Sequence, residues 1–488
     1  MIFTSVVFAL FFIMVIILNY LLPVKLRWIW LLLWSIFFYT YSNPASILVV
    51  GFILLVTFYA TKKIENTAVP KIAFRYYLLA IVSNIGVLGF FKYSNFFTST
   101  AFDVVIFFRS NLFHSTAPLQ NYFLINVLIP LGISYITFQA IGYLVEIKRG
   151  NQAAEKNLGH FSTFLLFFPK IVARPVERAH SFLPQIKKQK VFIYENISTG
   201  LKLVLWGVFK KLVVADRLSI YVNSVLGNTE HHSGITLIIA VVFYVFQMYA
   251  DFSGYTDIAL GFAKMLGYDL MQNFNRPLFA KSVTEFWRKW HISLSTWFVD
   301  YFYNPIAIAK RDWGNWSVVY AFFTTFIILG FWHGANWTFI VFGALQGLIL
   351  TIEFFTRKAR KNIRKKIPDL LNSITGIVFT VAYFTLSLIF FRAESLTAAF
   401  TIIKRIFTAK GSVYTENPSI IIFSILGVGF MMLVEFKKEF FNDLFTLSQN
   451  KVWLVRNCYY SFLLIIILLA GIFDGGSLYI FNFDKELV

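Results

Sequence analysis

Apolar stretches long enough to cross a lipid bilayer recur along the whole sequence. Examples are residues 2–22, 76–91, 235–249, 331–350 and 462–472. Several approach the roughly 20 residues that a helix needs to span the hydrocarbon core. The pattern predicts an all-α fold, a polytopic transmembrane helical bundle with roughly 11 spans.

Two apolar stretches, near residues 160–168 and 293–308, are too short to span and are predicted as short or re-entrant helices. Residues 1–19 lack a basic region and a small-residue cleavage site, so they are predicted to remain as the first helix rather than to act as a signal peptide.

The balance of residue types excludes an ordinary soluble protein. Of the 488 residues, 58% are hydrophobic and only 14% are charged, outside the range typical of soluble globular chains. The formal net charge is +20, but the basic residues lie in short clusters between apolar stretches. Nucleic-acid binding is therefore not predicted, and membrane lipids are the expected surroundings.

The basic clusters predict the orientation of the chain, because Lys and Arg accumulate in cytoplasmic loops. One arrangement of the spans across the membrane places all the basic clusters inside and both the N-terminus and the C-terminus outside. The clusters are Lys25/Arg27, Lys62/Lys63, Lys148/Arg149, 187–190, 357–366 and Lys437/Lys438.

No internal repeat or long flexible linker divides the chain, and a single membrane domain is predicted over residues 1–488. Residues 1–120 are expected to form N-terminal scaffold helices, 125–350 a catalytic core and 357–488 C-terminal helices. The core is placed where ionisable residues interrupt apolar stretches, because such residues are costly at membrane depth. The missing repeat argues against a transporter.

Metal and disulfide chemistry are not predicted. The single cysteine, Cys458, can form neither an internal disulfide nor a thiolate metal site. His231 and His232 are expected in an exterior loop, so they are not expected to join another histidine at a zinc ion.

His333 lies between two apolar runs, in the segment Gly330-Phe-Trp-His-Gly-Ala-Asn336. The small residues of this segment would let backbones, or a thin acyl chain, approach closely. An imidazole in such surroundings can act as a general base that withdraws a proton from a hydroxyl as it attacks a thioester carbonyl. The alternative is a histidine that joins two helices by hydrogen bonds.

Residues 284–297 have the spacing of one amphipathic helix, with Trp287, Trp290 and His291 on its apolar face. Arg288 is expected to point elsewhere, towards headgroups or an anionic ligand. The alternative is an interfacial helix anchored by Trp and Arg.

Two carboxylates, Asp251 and Asp257, end a long apolar run. Asp251 could orient a histidine, organise a polar lining, or cap a helix that begins there. Asp257 is expected to have a structural role.

Proline beside charge predicts loops or broken helices at residues 168–178 and 273–277. Arg174, Arg178 and Arg276 could meet phosphates there, in a cytoplasmic vestibule, or they could serve only as positive-inside signals.

Taken in order, these segments resemble the membrane-bound O-acyltransferase family, in particular its bacterial alginate O-acetyltransferase-like branch. The resemblance covers most of the chain after residue 125. The segments that carry it are residues 130–138, 168–170, 251–257, 273–277, 284–297, 332–335 and 390–393.

The resemblance implies a funnel-like fold with a central tunnel, in the cytoplasmic (inner) membrane of a bacterium. His333 matches the near-universal histidine of the family, and His291 matches the second one. The implied donor substrate is an acyl thioester, acetyl-CoA, with no bound cofactor, and the implied partner is a periplasmic SGNH-type acyltransferase. Arg174 stands where relatives commonly have glycine, and the ending around Tyr479 only approximates the family's.

The predicted function is therefore O-acyl transfer that passes an acetyl group from a cytoplasmic thioester across the membrane to a cell-envelope polysaccharide. The alternatives are a transporter or flippase of an envelope intermediate, and D-alanyl transfer to teichoic acid. His333 and His291 are the predicted catalytic residues. The predicted tunnel or donor-binding residues are Asp251, Ser253, Tyr255, Glu285, Trp287, Arg288, Trp290, Trp332 and Asn336.

Overall fold

The structure, a computed structural model, describes residues 3–41, 43–113, 129–173, 175–415, 417–441 and 452–473. Arg174 and Tyr479 lie outside the described residues. Every regular element in the described ranges is helical, which confirms the predicted all-α class. The chain divides into two compact units, one formed by Ile17–Lys190 and the other by Ile2–Ile16 with Val191–Phe483.

Helix α1, Val6–Leu21, begins in the second unit and ends in the first. The other helices of the first unit are α2 Arg27–Thr40, α3 Ser46–Asn66, α4 Pro70–Phe113, α5 Ile133–Arg149, α6 Leu158–Leu166, α7 Phe168–Ala173 and α8 Ala179–Lys187.

Buried polar contacts hold the helices of the first unit together. The Asn84 amide of α4 donates to the Thr57 hydroxyl of α3 at 3.0 Å. The Lys170 ammonium of α7 donates to Oε1 of Gln139 on α5 at 2.7 Å and lies 4.2 Å from the centre of the Phe164 ring. The Asn84 amide nitrogen and the Lys170 ammonium thus have partners, as burial of donors in a low dielectric favours.

The second unit contains the remaining helices. They are α9 Tyr194–Val208, α10 Asp216–Leu226, α11 Gly234–Met265, α12 Val283–Lys289, α13 Ile292–Phe298, α14 Asn304–Ala309, α15 Asn315–His333, α16 Trp337–Phe355, α17 Arg357–Arg364, α18 Asp369–Arg392, α19 Leu396–Thr408, α20 Pro418–Phe440 and α21 Trp453–Ala470. A π-helical segment, Phe209–Ala215, joins α9 to α10.

Eight helices in the described ranges are long and apolar enough to cross a membrane, namely α3, α4, α11, α15, α16, α18, α20 and α21. They support the predicted polytopic bundle. The sequence-based count of roughly 11 spans also included shorter apolar segments such as α1, which has 16 residues. The regions predicted as too short to span form the short helices α6, α7, α13 and α14.

Paired glycines bring α9 and α11 into backbone contact. A Cβ atom at Gly207 would lie 2.5 Å from the carbonyl oxygen of Gly254, and one at Gly254 would lie 2.8 Å from that of Gly207. Gly200 and Gly261 make the same reciprocal contact about two helical turns away. In lipid the hydrophobic effect does not drive helices together, so close packing through small residues is what stabilises their contact. The paired glycines also fix the register of α9 against α11.

Candidate active site

His333 is the last residue of α15, and only Gly334–Asn336 separate it from the start of α16. Its half-buried ring is surrounded by aromatic side chains. The centre of the ring lies 4.9 Å from that of Trp332 and 5.0 Å from that of Phe391 on α18. The imidazole therefore sits at a helix end, in an apolar frame that is not fully closed.

Asn336 explains why the chain turns directly after His333. Its side-chain oxygen accepts a hydrogen bond from the Thr338 amide at 3.0 Å and so caps α16. Its amide nitrogen donates to the carbonyl of Glu394 at 2.8 Å, which ties this corner to the loop after α18. The contacts of Asn336 are those of a cap, and its predicted role in a tunnel lining stays a prediction.

The small residues around His333 allow α15 and α16 to pack backbone against backbone. A Cβ atom at Gly330 would overlap the carbonyl oxygen of Phe339, and one at Gly343 would overlap that of Phe326. A Cβ atom at Gly334 would overlap the Phe339 ring. The expected close approach of backbones is therefore confirmed at Gly330, whereas the neighbour of Gly334 is a side-chain ring.

His291 lies at a break between two helices, so the prediction of one continuous helix over residues 284–297 is wrong. Helix α12 ends at Lys289, α13 begins at Ile292, and His291 has the left-handed backbone angles φ 45° and ψ 52°. Helical spacing of apolar residues continues through the break, because the residues on both sides face the same interior.

The polar loop before α12 stabilises this break. The amide of Ile292 donates to the carbonyl of Asn273 at 2.9 Å, and the amide of Asn275 donates to the carbonyl of Lys289 at 2.9 Å. The Ser293 hydroxyl donates to Oδ1 of Asn273 at 2.6 Å. These bonds bracket His291 and supply partners that a continuous helix would have provided, and they confirm residues 273–277 as a loop.

The His291 side chain is 2% exposed. Its ring centre lies 4.7 Å from that of Phe252 on α11 and 6.5 Å from that of Phe274. The neighbouring Trp290 is also buried, with its ring 5.1 Å from that of Phe274. The aromatic surroundings expected for His291 are present, although the backbone that presents them is broken.

Helix α18 links the two histidine segments. Trp290 packs on Phe384, at 5.3 Å between ring centres, and His333 packs on Phe391, at 5.0 Å. Residues seven apart lie on the same face of a helix, about 10 Å apart along its axis. One face of α18 therefore contacts both segments.

Helix α16 links them a second time. The Glu353 carboxylate accepts hydrogen bonds from the amides of Val283 and Thr284, each at 2.9 Å, and from the Thr284 hydroxyl at 2.6 Å. The Trp287 indole donates to Oε1 of Gln346 at 3.3 Å. The start of α12 is thus fastened to the helix that follows His333.

The charged residues of α12 differ in their contacts. Lys289 pairs with Glu285 at 2.9 Å and with Glu439 at 2.7 Å, and Arg276 pairs with Glu439 at 2.5 Å. Burial alone would lower the pKa of Lys289, but its hydrogen bonds with Glu439 and Glu285 outweigh burial and raise it. Arg288 is exposed and has neither a hydrogen bond nor an ion pair with any described residue.

Asp251 lies within the continuous helix α11, so the alternative that it caps a new helix is wrong. The Lys211 ammonium of the π segment lies 2.8 Å from Asp251 and 2.7 Å from Asp216, and all three side chains are 0% exposed. Burial of an unpaired carboxylate would be costly, and the lysine offsets this cost for both acids.

Lys210 makes a second set of contacts from the same π segment. Its ammonium donates to the Ser253 hydroxyl at 3.0 Å and lies 2.5 Å from Asp257. The Tyr255 ring centre lies 5.4 Å from the Lys211 ammonium. Two lysines therefore contact the predicted site residues Asp251, Ser253 and Tyr255 of α11. The ion pair of Asp257 agrees with the structural role expected for it.

Sequence reasoning missed Lys210 and Lys211. The available signal was the position of two adjacent lysines inside an apolar run, which positive-inside loops do not explain. Their network reaches the site through Phe252, which lies between Asp251 and Ser253 on α11 and packs against His291. Within the described ranges, no group of three or more His, Cys, Asp or Glu residues could hold a metal ion.

The sequence pattern of the membrane-bound O-acyltransferase family matches residues 67–392, which contain both histidines and the Lys210/Lys211 network. The chain belongs to this family. The acyltransferase is accordingly a multi-pass membrane enzyme. The match extends over parts of both compact units, and the prediction of a single domain with three parts stays a prediction.

Relatives of the acyltransferase are named for acyl transfer to alginate, peptidoglycan or teichoic acid. It is 32% identical over 410 residues to the probable alginate O-acetylase of Pseudomonas aeruginosa, covering 84% of this chain and 75% of that protein. It is 31% identical to the peptidoglycan O-acetyltransferase of Helicobacter pylori, covering 77% and 73%. The teichoic acid D-alanyltransferase of Bacillus subtilis is 28% identical, covering 52% and 66%.

Proposed function

We propose that this acyltransferase passes an acetyl group from a cytoplasmic thioester, acetyl-CoA, across the membrane for O-acetylation of a cell-envelope polysaccharide. Two relatives that cover most of the chain support acetyl as the acyl group, because their names state O-acetylation of alginate and of peptidoglycan. The relative named for D-alanyl transfer covers only 52% of the chain. The family assignment offers no support for the transporter alternative.

The position of His333 carries the proposal for the chemistry. Its half-buried ring lies at a helix end, packed against Trp332 and Phe391 and still partly exposed. A histidine can exchange a proton near neutral pH. The site thus combines a group that can hold a proton with surroundings that suit an acyl chain.

In the proposed step, an acceptor hydroxyl attacks the carbonyl carbon of the thioester. The new C–O bond forms as the C–S bond breaks, His333 takes the hydroxyl proton, and the same proton then passes to the leaving thiolate. The acceptor is either a sugar hydroxyl or a hydroxyl of a partner enzyme that carries the group onward. Proton transfer by a positioned side chain contributes about 100- to 10,000-fold to such steps.

His291 is proposed as an orienting group of the site. It is buried against Phe252 and fixed at a helix break, whereas His333 is partly open. Arg288 is proposed to meet the phosphates of the donor, because it is exposed and the neighbouring Lys289 and Arg276 are occupied by Glu439. The buried residues Asp251, Ser253 and Tyr255 support this region from α11.

The proposed partner is a periplasmic SGNH-type acyltransferase that completes transfer to the polysaccharide. The proposed location is the inner membrane of a bacterium, with both termini outside. The basic helix α17 supports this orientation, because residues 357–366 contain seven Lys and Arg and no acid.

The test is His333→Ala in cells from which the natural gene has been deleted. We expect the O-acetyl content of envelope polysaccharide, released by mild alkali and quantified by mass spectrometry, to fall about 100-fold or more. The O-acetyl content should fall equally in His333→Gln, because glutamine keeps a polar side chain but cannot act as a base.

The amount of each variant in the membrane fraction serves as the control. Full acetylation in the presence of normally inserted His333→Ala would contradict the proposal. If His333→Ala lost D-alanine rather than acetate from the envelope, the proposed acetyl donor would be wrong, but the proposed role of His333 in acyl transfer would still hold.

A further inference from the structure

A groove of about 280 Å³ runs along the surface of the second unit between α9 and α21. Tyr460 of α21 lines one wall, and the Lys202 ammonium of α9 lies 5.7 Å from the centre of the Tyr460 ring. Among the described residues, this ring is the only interaction partner of the Lys202 ammonium. The charge therefore remains available to a ligand.

The α9 wall of the groove has two parallel stripes, each with a spacing of four residues. Such spacing places side chains above one another on a helix face. The polar stripe consists of Tyr194, Ser198 and Lys202, and the apolar stripe consists of Ile197, Leu201 and Leu205. A ligand in the groove therefore meets hydrogen-bond donors on one side and hydrocarbon on the other.

The groove lies where polar helix ends give way to apolar residues. Lys202 is the ninth residue of α9, Tyr460 is the eighth residue of α21, and an apolar run with at least two leucines follows each of them. From Tyr194 to Leu205 the helix rises about 16 Å, close to the thickness of one leaflet of hydrocarbon, about 15 Å. Aromatic and basic side chains are typical of this boundary.

The surroundings of the groove carry a net positive charge. Arg456 lies one turn before Tyr460 on α21. The Lys438 ammonium lies 5.8 Å from the ring of Trp206, one turn beyond Lys202. Glu195, exposed in the first turn of α9, is the acid nearest in sequence to the groove lining.

We propose that this groove binds an anionic glycerophospholipid from the surrounding bilayer. The phosphate lies between the Ser198 hydroxyl and the Lys202 ammonium, and one acyl chain follows Leu201 and Leu205. A soluble anion would leave the apolar stripe uncovered, and the quaternary ammonium of a zwitterionic lipid would offset the attraction of its phosphate to Lys202. Leu201 is 55% exposed, as expected of a side chain that contacts lipid.

Native mass spectrometry of the full-length protein titrated with phosphatidylglycerol or phosphatidylcholine tests the proposal. We expect preference for phosphatidylglycerol, and Lys202→Gln should weaken its binding about fivefold, the worth of one basic residue at an anionic membrane surface. Lys202→Arg should retain binding. Lys358→Gln is the matched control, because Lys358 is an exposed lysine outside the groove.

Unchanged phosphatidylglycerol binding by Lys202→Gln, or an equal loss in Lys358→Gln, would overturn the proposal. A photoreactive side chain at position 201 gives a second readout in lipid nanodiscs. It should form adducts of phospholipid mass, and adducts with a second copy of the chain or with another protein would assign the groove to protein contact instead. Neither measurement uses an acyl donor, so the results do not depend on the proposed function.

Discussion

The two histidines occupy aromatic surroundings of different construction. His333 ends a long helix, is half-buried, and is framed by glycines that bring two backbones together. His291 is 2% exposed, lies at a break with a left-handed backbone, and packs on Phe252. The partly open ring is suited to contact with reactants, and the enclosed ring is suited to fixing their surroundings.

The helices behind the two histidines differ as well. Behind His333, α15 and α16 touch through Gly330 and Gly343, so the packing depends on side-chain volume. Behind His291, α11 is held by the buried ion network of Lys211, and the packing depends on charge. Substitutions of volume and of charge should therefore affect the two regions differently.

The largest loss of stability is expected from Lys211→Met. It removes the ammonium between Asp216 and Asp251 and leaves two buried carboxylates without compensation, which costs about 3–5 kcal/mol of the free energy of unfolding. Thermal unfolding of the detergent-solubilised protein measures this loss. Lys210→Met should cost less, because its partner Asp257 is 21% exposed.

Neutralising the acids provides the control for Lys211→Met. The triple variant with Asp216→Asn and Asp251→Asn keeps the shapes and removes the uncompensated charges, so it should recover much of the lost stability. If the triple variant unfolds as early as Lys211→Met, the ion network is not what stabilises this region.

An intermediate loss is expected from Gly330→Ala on the His333 side. The added methyl group would overlap the carbonyl oxygen of Phe339, a backbone atom that cannot rotate away. Overpacking of this kind costs about 1–3 kcal/mol, and polysaccharide acetylation should fall with it because α16 must shift. The melting temperature and the O-acetyl content check the two effects.

Gly89→Ala on α4 is the matched control, because nothing lies within 4 Å of the position of its Cβ atom. It should leave the melting temperature unchanged or raise it, since alanine favours helix over glycine by up to about 1 kcal/mol. Equal stability of the two alanine variants would contradict the close backbone contact at Gly330.

The smallest effect is expected from a pair of substitutions at His291. They distinguish the contribution of its backbone conformation from that of its imidazole ring. Both His291→Asn and His291→Val lose the imidazole, but asparagine adopts the left-handed conformation readily and valine does not. We expect His291→Val to be less stable than His291→Asn by about 1–2 kcal/mol, measured by thermal unfolding. Equal stability would mean that the helix break is not required.

The all-α class and the presence of many membrane-spanning helices were predictable from the sequence, because long apolar runs indicate helices buried in lipid. The break at His291 was not predictable, since the apolar spacing runs through it and its hydrogen bonds come from Asn273 and Asn275. Glu353 gave no signal either, because a single acid beside the basic run 357–366 is also expected at an interface. Its partners on α12 depend on tertiary packing.

The contact of α15 with α16 determines from which side reactants can reach His333. Because the two backbones touch at Gly330 and Gly343, neither water nor an acyl chain can pass between these helices. The ring is flanked by Phe391 of α18 and Phe342 of α16, at 5.0 and 6.3 Å between ring centres. We therefore expect reactants to approach the imidazole past these two rings rather than between α15 and α16.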